Sequence, residues 1–87
     1  MYLKVKVTRK HIKVGMRSDS EYCPIAVAVR GAGAIAVGVE TEDIYWADAA
    51  GNHFYATLPR KAQKFISDFD SGLHVYPIEF SIRTKRQ

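Results

Sequence analysis

Apolar and polar residues alternate from the start of the chain. Leu3, Val5 and Val7 fall on one side of an extended backbone and Tyr2, Lys4 and Lys6 on the other, which predicts a strand. Thr8 then stands at an N-cap position, and His11, Ile12, Gly15 and Met16 share one helical face. A short helix over Arg9–Met16 follows from that spacing, with Gly15 limiting its length. A polar connection over 17–21 leads to Cys23-Pro24. Proline is favoured at the first helical position, where its missing N–H has no partner to lose. Ile25 to Arg30 is apolar almost all round, so this second helix is expected to be buried, with Ile25, Ala28 and Val29 against the sheet. Gly31 and Gly33 end it.

Three strands are expected next, over 34–39, 41–47 and 53–58. The last two form a hairpin across a turn at 48–52 that carries the Gly and Asn such turns favour. Ile44 and Trp46 fall on one face of that hairpin; Asp43, Tyr45 and Ala47 fall on the other. From Pro59 a third helix places Ala62, Phe65, Ile66 and Phe69 in one stripe and stops at Asp70-Ser71-Gly72. A final strand over 73–82 sets Tyr76, Ile78, Phe80 and Ile82 on one side. Pro77 lies within it and donates no ladder hydrogen bond, so the strand is at an edge or bulged there. The expected fold is α+β, a single, mostly antiparallel sheet with helices packed on one face, in the order β-α-α-β-β-β-α-β. Its 87 residues make one domain, 1–87, ending in a basic tail at 83–87.

Composition adds a class. The chain is 47% hydrophobic and 25% charged, which is globular and argues against disorder. No run of apolar residues approaches a membrane span, and the opening alternation is unlike a signal peptide. One cysteine excludes an internal disulfide. These features predict a soluble, cytoplasmic domain without a membrane partner.

Charge is unevenly placed. Residues 1–17 carry six basic groups and no acid: Lys4, Lys6, Arg9, Lys10, Lys13 and Arg17. Arg83, Lys85 and Arg86 add three at the other end, whereas 18–82 holds four basic residues against nine acidic ones. Basic ends and an acidic middle point to an anionic partner, or else serve solubility and internal pairing. If the first and last strands are neighbours, Lys4, Lys6, Arg83, Lys85 and Arg86 share a face or edge, with Lys10 and Lys13 near.

Few residues suggest catalysis. Cys23 at a helix N-terminus feels the positive end of the macrodipole, which lowers a thiol pKa, and His11 can act as its base. No spacing forces the two together, and a buried capping cysteine is the simpler reading. Cys23 and Pro24 are therefore expected to be structural. His11, His53 and His74 are scattered, without the short spacing of metal ligands. Gly31-Ala32-Gly33-Ala34 lacks the Lys-Ser/Thr of a phosphate loop. No catalytic residue, metal or cofactor is expected. Among the aromatics, Tyr2, Tyr45 and Tyr55 remain for the surface. Exposed aromatics beside basic residues on a sheet stack on single-stranded nucleic acid, but Tyr45 and Tyr55 are expected among acids rather than bases. Exposed tyrosines also serve protein interfaces.

The stretches His11-Ile12-x-x-Gly15-x-Arg17, Cys23-Pro24-Ile25-Ala26-x-Ala28 and Phe65-Ile66-Ser67-Asp68-Phe69-Asp70-Ser71-Gly72 resemble those of small bacteriophage and prophage-associated bacterial proteins, a family without an established activity. The resemblance implies a phage accessory protein working in the host cytoplasm. Together these readings predict a non-enzymatic protein that binds and modulates a host protein, through an edge strand open also to a second copy. The alternative is a nucleic-acid-binding protein using the basic residues of both ends.

Overall fold

The N-terminal alternation forms strand β1, Tyr2–Val7, with Val5 and Val7 buried and Tyr2, Lys4 and Lys6 facing solvent. The structure, a computed structural model, describes residues 2–86 and every side chain among them except that of Arg86. The partner of β1 is distant in sequence. Strand β5, Ile78–Arg83, runs antiparallel to it, with Tyr2 opposite Arg83, Lys4 opposite Ser81 and Lys6 opposite Glu79.

Thr8 turns the chain into helix α1, Arg9–Val14. Its Oγ1 accepts the His11 N–H at 3.4 Å while its own N–H donates to His11 Nδ1 at 3.0 Å. This is a reciprocal capping box with histidine in the place glutamate usually takes. The helix stops two residues short of the expected Met16, because Gly15 adopts an extended conformation, φ −68° and ψ 152°. A Cβ on Gly15 would lie 2.6 Å from Pro24 Cγ, so the chain crosses the start of the next helix at a distance only glycine permits. Ile12 packs half-buried against the core, and Met16 is exposed rather than sharing its face.

Helix α2, Pro24–Gly31, begins where Cys23-Pro24 places it and buries Pro24, Ile25, Ala26, Ala28 and Val29. Three short strands follow: β2, Ala36–Val39; β3, Asp43–Ala47; and β4, His53–Thr57. Trp46 stacks on Phe54 across the hairpin at 5.6 Å between centroids. Helix α3, Arg60–Asp70, buries Ala62 and Phe65 and half-buries Ile66 and Phe69, the expected stripe.

Two features depart from the expected single sheet. Residues 73–77 form no strand, and β5 starts directly after Pro77, which has no N–H to give a ladder. After Arg83 the chain then leaves β1, and a two-residue strand β6, Lys85–Arg86, pairs antiparallel with β4. The result is two antiparallel sheets, β1-β5 and β2-β3-β4-β6, with a ninth element at the end of the order. Thr84 is the point where one extended segment changes sheets. Inward side chains of both sheets, α2 and α3 share one hydrophobic core.

Candidate nucleic-acid interface

The pairing of β1 with β5 brings Arg83 to the basic N-terminal strand, whereas Lys85, expected on the same face or edge, stands on the other sheet. Lys4, Lys6 and Arg83 share the solvent face of the β1–β5 sheet, because alternate residues of paired strands point the same way. The acid on this face is Glu79, whose carboxylate meets Lys4 Nζ at 2.6 Å. The lysine holds the Glu79 carboxyl below its ordinary range, and the carboxylate holds the Lys4 ammonium above its own.

Beyond β1 the basic groups continue along α1. Arg9 and Lys13 lie one turn apart and line a cleft of about 500 Å³ with Arg17 and His74, floored by Ile12, Phe69 and Val75. Lys6 and Arg9 share a smaller cleft beside Pro77 and Glu79. Lys6, Arg9, Lys13 and Arg17 thus form one track, with Lys10 exposed beside it on α1. The ion pairs among the described residues are Lys4–Glu79 and Lys64–Asp68, so none of the cations of this track is in an ion pair, although Lys6 faces Glu79 across the ladder and helps to lower its carboxyl. Cations in the first turn oppose the helix dipole, and like charges at i, i+4 disfavour a helix by about 0.2–0.5 kcal/mol. The charge of Arg9 and Lys10 in the first turn of α1 is thus held against the helix's own stability, whereas Lys13 in the last turn suits the dipole.

The other sheet carries tyrosines on its solvent face. Gly38, Tyr45, Tyr55 and Lys85 stand opposite one another in a single row across β2, β3, β4 and β6. Tyr45 and Tyr55 are 46% and 40% exposed. The outer end of the Tyr45 ring lies over Gly38, in the space a Cβ would fill, and its hydroxyl donates to Glu40 Oε1 at 3.4 Å. Lys85 Nζ sits 6.0 Å from the centre of the Tyr55 ring, a cation–π contact. Tyr2, 69% exposed, faces Arg83 across the other sheet. Tyr55 is expected among acids, yet the nearest in sequence is Asp48, seven positions away, and its register partner is a lysine. That correction comes from pairing over thirty residues, which no local pattern encodes. The hairpin that aligns Tyr45 with Tyr55 was visible in the sequence, whereas the approach of β6 was not. The side chain of Arg86 lies outside the described residues.

Cys23 is a capping residue. It is 3% exposed, and its Sγ accepts the Ala26 N–H at 3.5 Å. Burial pushes the thiol up, against the lowering effect of the Ala26 and Ile25 N–H groups, and the Asp70 and Asp19 carboxylates push it further. Desolvation outweighs the helix terminus here, which is the opposite of an activated nucleophile. His11 is bonded to Thr8 and lines a different cleft from Cys23. Among the described residues no three His, Cys, Asp or Glu side chains converge on a metal position, and no helix is long and apolar enough to cross a membrane.

Comparison of the chain with protein-family models, with curated proteins and with solved structures gave no match.

Proposed function

We propose that this protein binds single-stranded nucleic acid across the solvent faces of its two sheets, as a binding module without catalytic chemistry. One observation carries the reading: exposed tyrosines stand opposite basic residues in register, Tyr2 with Arg83 and Tyr55 with Lys85. Tyr45 extends the row, held by Gly38 and Glu40 with one side left to solvent. Bases stack on the rings, each contributing about 1–3 kcal/mol, while Lys6, Arg83 and Lys85 meet the phosphates. The track through Arg9, Lys13 and Arg17 extends the path beyond β1. Glu40, Glu42 and Asp43 at the far end of the tyrosine sheet repel the backbone, so the strand lies toward Lys85. Stacking requires unpaired bases, which selects single strands over duplex.

Fluorescence anisotropy with labelled oligothymidylate and oligouridylate tests this at about 50 mM and about 200 mM salt. Saturable binding is expected, weakening steeply with salt, and weakening by at least about tenfold for Tyr45→Ala/Tyr55→Ala. No binding at the lower salt, or equal binding by the double variant, would contradict it. A protein partner, which the family resemblance favours, is supported by a different feature, the open edge of β1.

A further inference from the structure

Strand β1 has one strand neighbour. Along its other edge every second backbone N–H and C=O points away from the sheet. Among the described residues, no backbone hydrogen bond from outside the β1–β5 ladder reaches β1. The corresponding edge of β2 differs, because there Ser20 C=O accepts the Val39 N–H at 2.8 Å. Beside the open edge of β1 runs a groove of about 340 Å³, with Leu3 and Val5 on its strand wall and Ala28, Val29, Gly31 and Ala32 on its helix wall. Small residues hold the helix wall back. A Cβ added at Gly31 would meet nothing within 4 Å.

We propose that this groove receives an extended acidic segment of a partner protein, which adds to β1 as a third strand. Backbone hydrogen bonds supply the attachment and the groove takes alternate apolar side chains. The remaining side chains face outward beside Lys4 and Lys6, and charge decides what they are. The strand already paired with β1 satisfies this rule, since its Glu79 reaches Lys4 at 2.6 Å. Lys6 stands across from the same carboxylate and helps to lower its pKa, but Glu79 makes its ion pair with Lys4, so among the described residues the Lys6 ammonium has no ion pair of its own. A second copy of the chain fails the same rule. Two antiparallel β1 strands would set Lys4 and Lys6 against their own kind, an unfavourable cross-strand pairing. Lysines on an edge strand also deter indiscriminate pairing, so the edge admits acidic segments and rejects the rest. This inference goes beyond the nucleic-acid reading and stands independently of it.

The probe is a blocked peptide of about eight residues, the length of an ordinary strand, alternating Glu and Val, followed by amide NMR. Saturable binding is expected, with shifts in β1 and at 28–32 and slowed exchange of β1 amides. The matching Lys-Val peptide should not bind wild type but should bind Lys4→Glu/Lys6→Glu. Methylating alternate peptide nitrogens, or filling the groove with Ala28→Leu, should each weaken binding by at least about tenfold. The methylated peptide leaves the protein itself unchanged, so its result is independent of folding. Equal binding of the Glu and Lys peptides, shifts confined to Arg9, Lys13 and Arg17, or self-association through β1 would overturn the proposal. Nucleic acid is read in the same spectra at Tyr45 and Tyr55, so failure there and failure here are distinguishable.

Discussion

Tyr45 owes its position to what is missing from Gly38. A side chain on β2 would occupy the space the ring fills, and an aromatic lying over a cross-strand glycine is a recognised way to cover bare backbone. The same single-residue logic gives Cys23 its role. Its sulfur is buried, caps α2 and is held protonated by desolvation. Because the folded thiol titrates above the unfolded one, its contribution to stability is whole below the unfolded pKa and is lost as pH rises from there through the raised folded pKa. Denaturant unfolding from about pH 7 to about pH 10 should therefore destabilise wild type more than Cys23→Ala. Thiol labelling should be fast only after unfolding. Labelling of the native protein at the rate of free cysteine would contradict the burial. Cys23→Ala itself should lower stability by about 1 kcal/mol and leave nucleic-acid affinity unchanged.

Between elements, a close backbone approach joins α1 to α2. The end of α1 meets the start of α2 through Gly15 and Pro24, and the loop between them closes with Met16 N–H to Tyr22 C=O at 2.8 Å and Cys23 N–H to Asp19 C=O at 3.0 Å. Gly15→Ala should therefore destabilise the fold by roughly 1–3 kcal/mol, measured by chemical denaturation; an unchanged midpoint would show that the crossing relaxes. Gly15, Cys23 and Pro24 are all engaged in this junction, and His11 joins it through its C=O, which accepts the Gly15 N–H at 2.9 Å. Local elements were legible in the sequence because their causes are local. The Val5/Val7 alternation, the proline that opens α2, the turn at 48–52 and the Ala62–Phe65–Phe69 stripe each act within a few residues. Basic Lys4 and Lys6 were visible as candidates for the same reason. The division into two sheets was not, because it depends on Pro77 delaying β5 and on the chain changing partners at Thr84. The Tyr55–Lys85 pair depends on that same change of partner, so Tyr45 and Tyr55 were legible as surface aromatics while the basic residue beside them was hidden.

At the scale of the whole molecule, β1–β5 pairing sets Arg83 on one face with Lys4 and Lys6, while Lys85 is carried to the other sheet. The net charge of +4 understates this, since the acids other than Glu79 lie at 19–21, 40–48 and, in α3, 68–70. Glu79 is the acid inside the basic face, and it neutralises Lys4. The pair persists while pH stays above the lowered Glu79 pKa and is lost as pH falls through it. Removing the acid has the same effect at neutral pH. Glu79→Gln frees one cation for phosphate, so affinity for single strands should rise and the slope of log affinity against log salt should steepen by about 0.7. Salt titrations of both proteins check this; identical slopes would place Lys4 outside the contact surface.

The central claim is that bases stack on the Tyr45–Tyr55 row while the Lys85–Arg83–Lys6 path holds the backbone. The measurement that reaches it most directly is NMR of the tyrosine ring protons during titration with oligothymidylate. Stacking beneath bases predicts upfield shifts of the Tyr45 and Tyr55 ring protons that saturate with binding, together with contacts from these rings to base protons. Binding that saturates while both rings keep their free-state shifts would contradict the account.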